Sequence, residues 1–185
     1  VFADVEYRLK KENKLLFSRD SECLGHLLRL LERQDHRTLI LWALDCARIP
    51  LMKLEVKYPF EHRPRMALDQ CRAWAEGRIK MPEAKRAILD VHTAAKILGD
   101  PPYEALCHAV GQAGATVHVA THAPGLVFYE LTAIVLENRQ NYENEVSGRI
   151  GEYVERLMFW RDNSDDIDMK WAVFLRKDPK ASDDI

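Results

Sequence analysis

The chain has 185 residues, enough for one domain with a real hydrophobic core. A formal net charge of −2, with acidic and basic residues interspersed, excludes the basic footprint of a nucleic-acid binder. Only 9% of residues are aromatic, and glycine and proline number eight each, a balance that favours helices over sheets.

In chain order, residues 3–17 read as a charged amphipathic helix with Val5, Leu9, Leu15 and Leu16 as its apolar positions. The Ser18-Arg19-Asp20-Ser21 cluster stops it and caps a second helix running to Arg33, with Leu24, Leu27, Leu28 and Leu31 on one stripe. Asp35 is the next N-cap. The helix it opens, over 36–57, contains Pro50, which removes the bond to the Cys46 carbonyl and predicts a kink there. Pro64 and Pro82 each sit where a helix accepts proline, in its first turn, and Gly77 and Gly99 stand where those helices should stop.

From Ala105 to Tyr129 there is no Asp, Glu, Lys or Arg. A membrane span is the weaker reading of this stretch, because His108, Gln112, Thr116, His118, Thr121 and His122 lie within it. It reads instead as a central buried helix over about 103–123, broken at Pro124-Gly125 before a second part over 126–138. A further amphipathic helix covers 140–160. An acidic turn follows at 161–168, then a short apolar piece at 169–175, helical or extended, and a frayed end from Lys177. The expected fold is an all-α single-domain bundle of about 7–8 helices around the central one. Residues 1–35 supply its N-terminal helices and 161–185 its tail.

Cys23, Cys46, Cys71 and Cys107 are dispersed and each lies in an apolar helical stretch, which reads as reduced core thiols. With no basic-then-apolar pattern at its start, the chain is expected to be cytoplasmic. No glycine-rich phosphate loop, dinucleotide fingerprint or Gly-x-Ser-x-Gly occurs. The run Asp162 to Asp168 fails as a calcium loop, because Ile167 and Val173 stand where the glycine and the bidentate glutamate are needed.

The histidines are the main candidates for chemistry. His118 and His122 are four apart, so on a helix both face one side, with His108 about 40° from His122 on the wheel. Such a pair can chelate zinc or another transition metal, with a third ligand from His92, Asp90 or Asp45. Val119 stands where a metalloprotease needs its glutamate, which disfavours that reaction. The plainer reading is neutral histidines hydrogen-bonded between packed helices; an acid–base or pH-switch role is a third. Asp45 is alone among apolar residues and needs a partner. Arg48, Arg63 and Arg65 are nearby in sequence, Arg65 first among them, so that Asp45, Arg63, Arg65 and His92 could form a polar pocket beside the histidine face. The four tryptophans read as core anchors, and Trp171 and Phe174, if exposed, would mark an interface.

Four segments carry a resemblance: Trp42-Ala43-Leu44-Asp45-Cys46-Ala47-Arg48, Arg63-Pro64-Arg65-Met66-Ala67, Ala73-Trp74-Ala75-Glu76-Gly77 and Val117-His118-Val119-Ala120-Thr121-His122-Ala123. In that order they resemble the Imm-5-like family of bacterial immunity proteins over roughly 38–138. The chain departs from the family pattern at Gln112, where the pattern has histidine, and at Pro124, where it has alanine-like residues. The resemblance implies a small helical protein that neutralises a toxin-like protein partner by binding, without catalysis and without a cofactor. The alternatives are a metal-binding protein or metal-dependent hydrolase built on His118 and His122, and a helical homo-oligomer.

Overall fold

The computed structural model describes residues 1–176; the end expected to fray, from Lys177, lies outside them. The described residues are all-α, without a strand. Their helices are α1 (Ala3–Lys10), α2 (Gly25–Glu32), α3 (His36–Cys46), α4 (Arg48–Lys57), α5 (Arg63–Ala75), α6 (Met81–Leu98), α7 (Pro101–Ala115), α8 (Ala123–Glu137) and α9 (Glu143–Asn163). Single 3-10 turns stand at Glu22–Leu24, Ala120–His122 and Val173–Leu175. Among the described residues, no helix is long and apolar enough to cross a membrane.

Proline and glycine punctuate the chain for the expected reasons. Pro64, Pro82, Pro101 and Pro124 lie in first turns, where a missing N–H costs nothing. Gly77 and Gly99 close α5 and α6 at φ of 74° and 63°, a region that a side chain disfavours. Asp35 caps α3 by accepting from the Thr38 amide at 2.9 Å. The helix expected over 36–57 divides at Ala47, one turn before Pro50. The proline can neither bond to the Cys46 carbonyl nor avoid it, so the rod bends and that oxygen turns to a side chain of α9, Arg149 Nη2 at 3.0 Å.

Helix α7 is the axle. It packs against α3, α4, α5, α6 and α8, and Leu106, Cys107, Ala109, Val110 and Ala113 are fully buried on it. Its small residues let those neighbours approach closely. Around it lies a core anchored by Trp42, Tyr153, Leu126 and Leu131, and a smaller one in which Trp74 and Trp171 meet Ile40 and Leu41. The acidic turn is shorter than expected because α9 continues to Asn163. The apolar piece beyond it straps the smaller core: the Ala172 amide donates to the Ala75 carbonyl at 2.8 Å, and Arg37 lies 5.3 Å over the Trp171 ring. Trp171 is thus buried, while Phe174 is half exposed against Trp74.

Two helices are shorter than the sequence predicts. Helix α1 stops at Lys10, not near 17, because Glu12 takes a left-handed conformation at φ 55° and the amides of Glu12 and Asn13 turn back to Leu9 and Arg8. Leu16 and Phe17 are buried outside any helix, and the Leu16 amide donates to Thr132 Oγ1 at 3.0 Å. The central helix ends at Ala115, not at 123. Thr116 Oγ1 donates back to the Gln112 carbonyl, the amides of Val117 and His118 tighten to three-residue bonds, and Val119 is extended. The chain must break upstream of Pro124 so that the proline can enter the first turn of α8.

Candidate functional site

That break rearranges the histidines. His118 and His122 do not share a helical face: His118 lies in the turn after α7 and His122 ends a 3-10 turn. His118 stacks on Trp74, centroids 5.8 Å apart, while His122 Nδ1 lies 2.9 Å from Gln112 Oε1. The expected helical chelating pair is therefore not formed.

The structure instead brings His92 of α6 to His108 of α7, with their Nδ1 atoms 2.7 Å apart. One ring must donate and the other accept. The His108 ring also packs on Tyr129 of α8, centroids 5.0 Å apart. Together with Gln112 and His122 these rings form a polar layer where α6, α7 and the start of α8 meet. Two glycines make room for it. A Cβ on Gly111 would lie 2.6 Å from His92 Cε1, and one on Gly125 would lie 2.6 Å from Gln112 Oε1. Among the described residues, no group of three or more His, Cys, Asp or Glu side chains is arranged to hold a metal ion. Asp90 is exposed on α6, and Asp45 lies elsewhere.

Burial disfavours the charged imidazole, so His108 and His122 are held below the ordinary histidine range, and His92 falls to about 4, helped by its histidine neighbours. The unfolded chain therefore takes up a proton near pH 6.5 that the folded chain resists until about pH 4. The stability carried by His92 is complete above the first value and is lost as pH falls toward the second. Thermal unfolding is expected to show a falling midpoint across that window, and His92→Gln is expected to flatten the fall. Gly111→Ala should displace the His92 ring and cost about 1–2 kcal/mol, the overpacking exceeding the helix-propensity gain. An NMR titration should then show the His92 pKa rising toward the ordinary value.

Asp45 defines a second site. It pairs with neither Arg48 nor Arg65, as the sequence suggested; it accepts from Arg156 Nε at 2.6 Å and from Trp160 Nε1 at 2.9 Å, both on α9. Arg65 crosses from α5 to Glu55 on α4 in a two-pronged pair at 2.8 and 2.9 Å, and Arg63 pairs with Glu61. The polar pocket expected to join Asp45, Arg63, Arg65 and His92 is thus split. Asp45 and Arg65 line an open groove of about 570 Å³ between α4 and α9, away from His92 and Arg63.

Eight charged side chains edge that groove: Asp45, Glu55, Glu152 and Glu155 against Arg48, Arg65, Arg149 and Arg156. Ile49 and Met52 of α4 line it, and Val56 follows them at helical spacing on the same outer face; the three are 36%, 58% and 80% exposed. Phe60 and Met66, in and beyond the α4–α5 connection, are exposed as well. Behind the groove, Arg149 Nε reaches the buried Glu130 at 2.9 Å, Nη1 reaches Glu152 at 2.8 Å, and the Tyr153 hydroxyl donates to Glu130. Burial pushes the Glu130 carboxyl up while Arg149 and Tyr153 pull it down. Sequence reasoning passed over this network. Its signals were one carboxylate, Glu130, at the end of an otherwise uncharged run, and Arg149 on the apolar stripe of Val146, Ile150 and Tyr153.

The buried thiols offer no nucleophile: burial pushes Cys71 and Cys107 up to about 12.

A family model described as "Imm-5 like putative immunity protein" matches residues 29–156, which takes in both the histidine layer and the α4–α9 groove. No curated protein and no solved structure matches the chain. The match extends the resemblance read from the sequence to the second half of α2 and most of α9. The chain belongs to the Imm-5-like family.

Proposed function

We propose that this protein neutralises a toxin by binding it one to one, without turnover, through the outer face of α4 and the groove beside it. The observation that carries the reading is the solvent-facing apolar stripe of Ile49, Met52 and Val56 on α4. A helix normally turns such a stripe inward. Here the inward face of α4 is already supplied by Pro50, Leu51 and Leu54, so among the described residues the outer stripe serves no packing role. An apolar centre edged by charges of both signs is how a protein-binding surface is built: the centre supplies affinity, and the rim steers and selects. The mixed rim favours a partner that presents carboxylates and cations alternately around an apolar knob.

The test is protection in cells. Toxin domains encoded beside immunity genes of this family would be co-expressed with the chain, and growth scored. Met52→Asp with Val56→Asp is expected to abolish protection by the cognate pair while leaving the helical circular dichroism and the melting temperature unchanged, since both residues are exposed. Protection undiminished by this variant would overturn the assignment of the face. A chain that is dimeric alone and loses its dimer with the same substitutions would assign the stripe to self-association instead.

A further inference from the structure

We infer that a second cleft, on the far side of the histidine pair, is a binding site for a small zwitterion with an apolar body, of the class of an apolar α-amino acid. The cleft holds about 390 Å³ between the end of α1, the start of α7 and the end of α8, and shares no lining residue with the α4–α9 groove. Its size is that of a small-molecule pocket.

Three observations identify the ligand chemistry. The first is the apolar part: Leu9, Leu136 and the rings of His108 and Tyr129, the latter two tilted against one another with centroids 5.0 Å apart. The second is charge. Lys14, Lys96 and Arg139 edge the cleft together with Glu12 and Glu104. Among the described residues none of the five is in an ion pair or a side-chain hydrogen bond, whereas six of the eight charged groups around the α4–α9 groove are paired with one another. A plain anion would meet two unanswered carboxylates and a plain cation three unanswered cations. A ligand bearing one charge of each sign answers both. The third observation is Glu12 itself. It occupies the left-handed position that closes α1, where glycine is the comfortable residue. The strained placement sets a carboxylate on the rim.

His108 serves this site from its floor. With Nδ1 engaged by His92 and its pKa held down by burial, it presents a neutral ring to the ligand. The carboxylate is left to the lysines and arginine, and the ammonium to Glu12 and Glu104. This site is independent of the toxin-binding reading.

Calorimetric titration of the whole chain at neutral pH tests it with four probes: L-phenylalanine, N-acetyl-L-phenylalanine, phenethylamine and glycine. L-phenylalanine is expected to bind saturably. Loss of the ammonium, the carboxylate or the apolar body should each weaken binding by about tenfold or more. Lys96→Glu with Arg139→Glu should weaken phenylalanine by a similar factor; both residues are exposed, so unchanged circular dichroism confirms the fold. Three results would overturn the proposal: no saturable heat or amide shift with phenylalanine at about 10 mM, equal binding of phenylalanine and its N-acetyl form, or an unaffected double variant.

Discussion

Glu130→Ala is expected to destabilise the protein by about 3–5 kcal/mol. Glu130 lies buried on α8, where it receives Arg149 Nε at 2.9 Å, Arg149 Nη2 at 3.1 Å and the Tyr153 hydroxyl. Its removal leaves a buried guanidinium paired only with the half-exposed Glu152, and a buried phenol without an acceptor. Both losses are desolvation costs that a folded chain cannot recover. For a chain of this length the melting temperature should fall by on the order of 10 °C. The mechanism makes a second demand. Replacing both charges, Glu130→Met with Arg149→Met, should cost less than Glu130→Ala alone, because an apolar pair needs no solvation. A double variant less stable than the single one would show that the network is not acting as a desolvated ion pair. Chemical denaturation of the three proteins decides this.

Trp42→Ala is expected to cost a comparable amount, about 3–5 kcal/mol, for a different reason. The indole is fully buried on α3, tilted against the Tyr153 ring at 5.7 Å, and its N–H donates to the Tyr153 carbonyl at 3.0 Å. Truncation opens a cavity where α3 crosses α9. Trp42→Phe fills most of the volume and forfeits the hydrogen bond, for about 1–3 kcal/mol. Because Trp42 and Glu130 both act on Tyr153, combining Trp42→Ala with Glu130→Ala should cost less than the sum of the two.

The helices were legible in the sequence because local chemistry fixed their ends. Pro64 and Gly77 bracket α5, Pro82 and Gly99 bracket α6, and Asp35 opens α3. The axle was legible because an uncharged run in a charged chain has one place to go. Two helix ends fall short of the pattern, each because the backbone is decided elsewhere. Leu15, Leu16 and the 116–122 segment have side chains that a helix would accept, but a left-handed Glu12 and the demand of Pro124 for a first turn decide the backbone.

The site was less legible than the fold. That His92 would meet His108, and that Asp45 would meet Arg156 in place of Arg65, depends on which helices become neighbours, and no local pattern encodes that. Gln112 stood out as a polar residue of the axle without its partner being readable, and Glu130 could have been singled out as the carboxylate that ends the uncharged run. The outward side of α4 is not marked in the sequence, because apolar residues fall on both its faces: Leu51 and Leu54 inward, Ile49, Met52 and Val56 outward.

Neutralisation by occupancy has a stoichiometry, and a titration reads it. Purified chain would be added to a fixed amount of cognate toxin while the toxin's activity is followed. The expected curve is a linear loss that ends at one chain per toxin, shifted far to the right by Met52→Asp with Val56→Asp. Complete protection at a small fraction of one equivalent would mean turnover, and would contradict it.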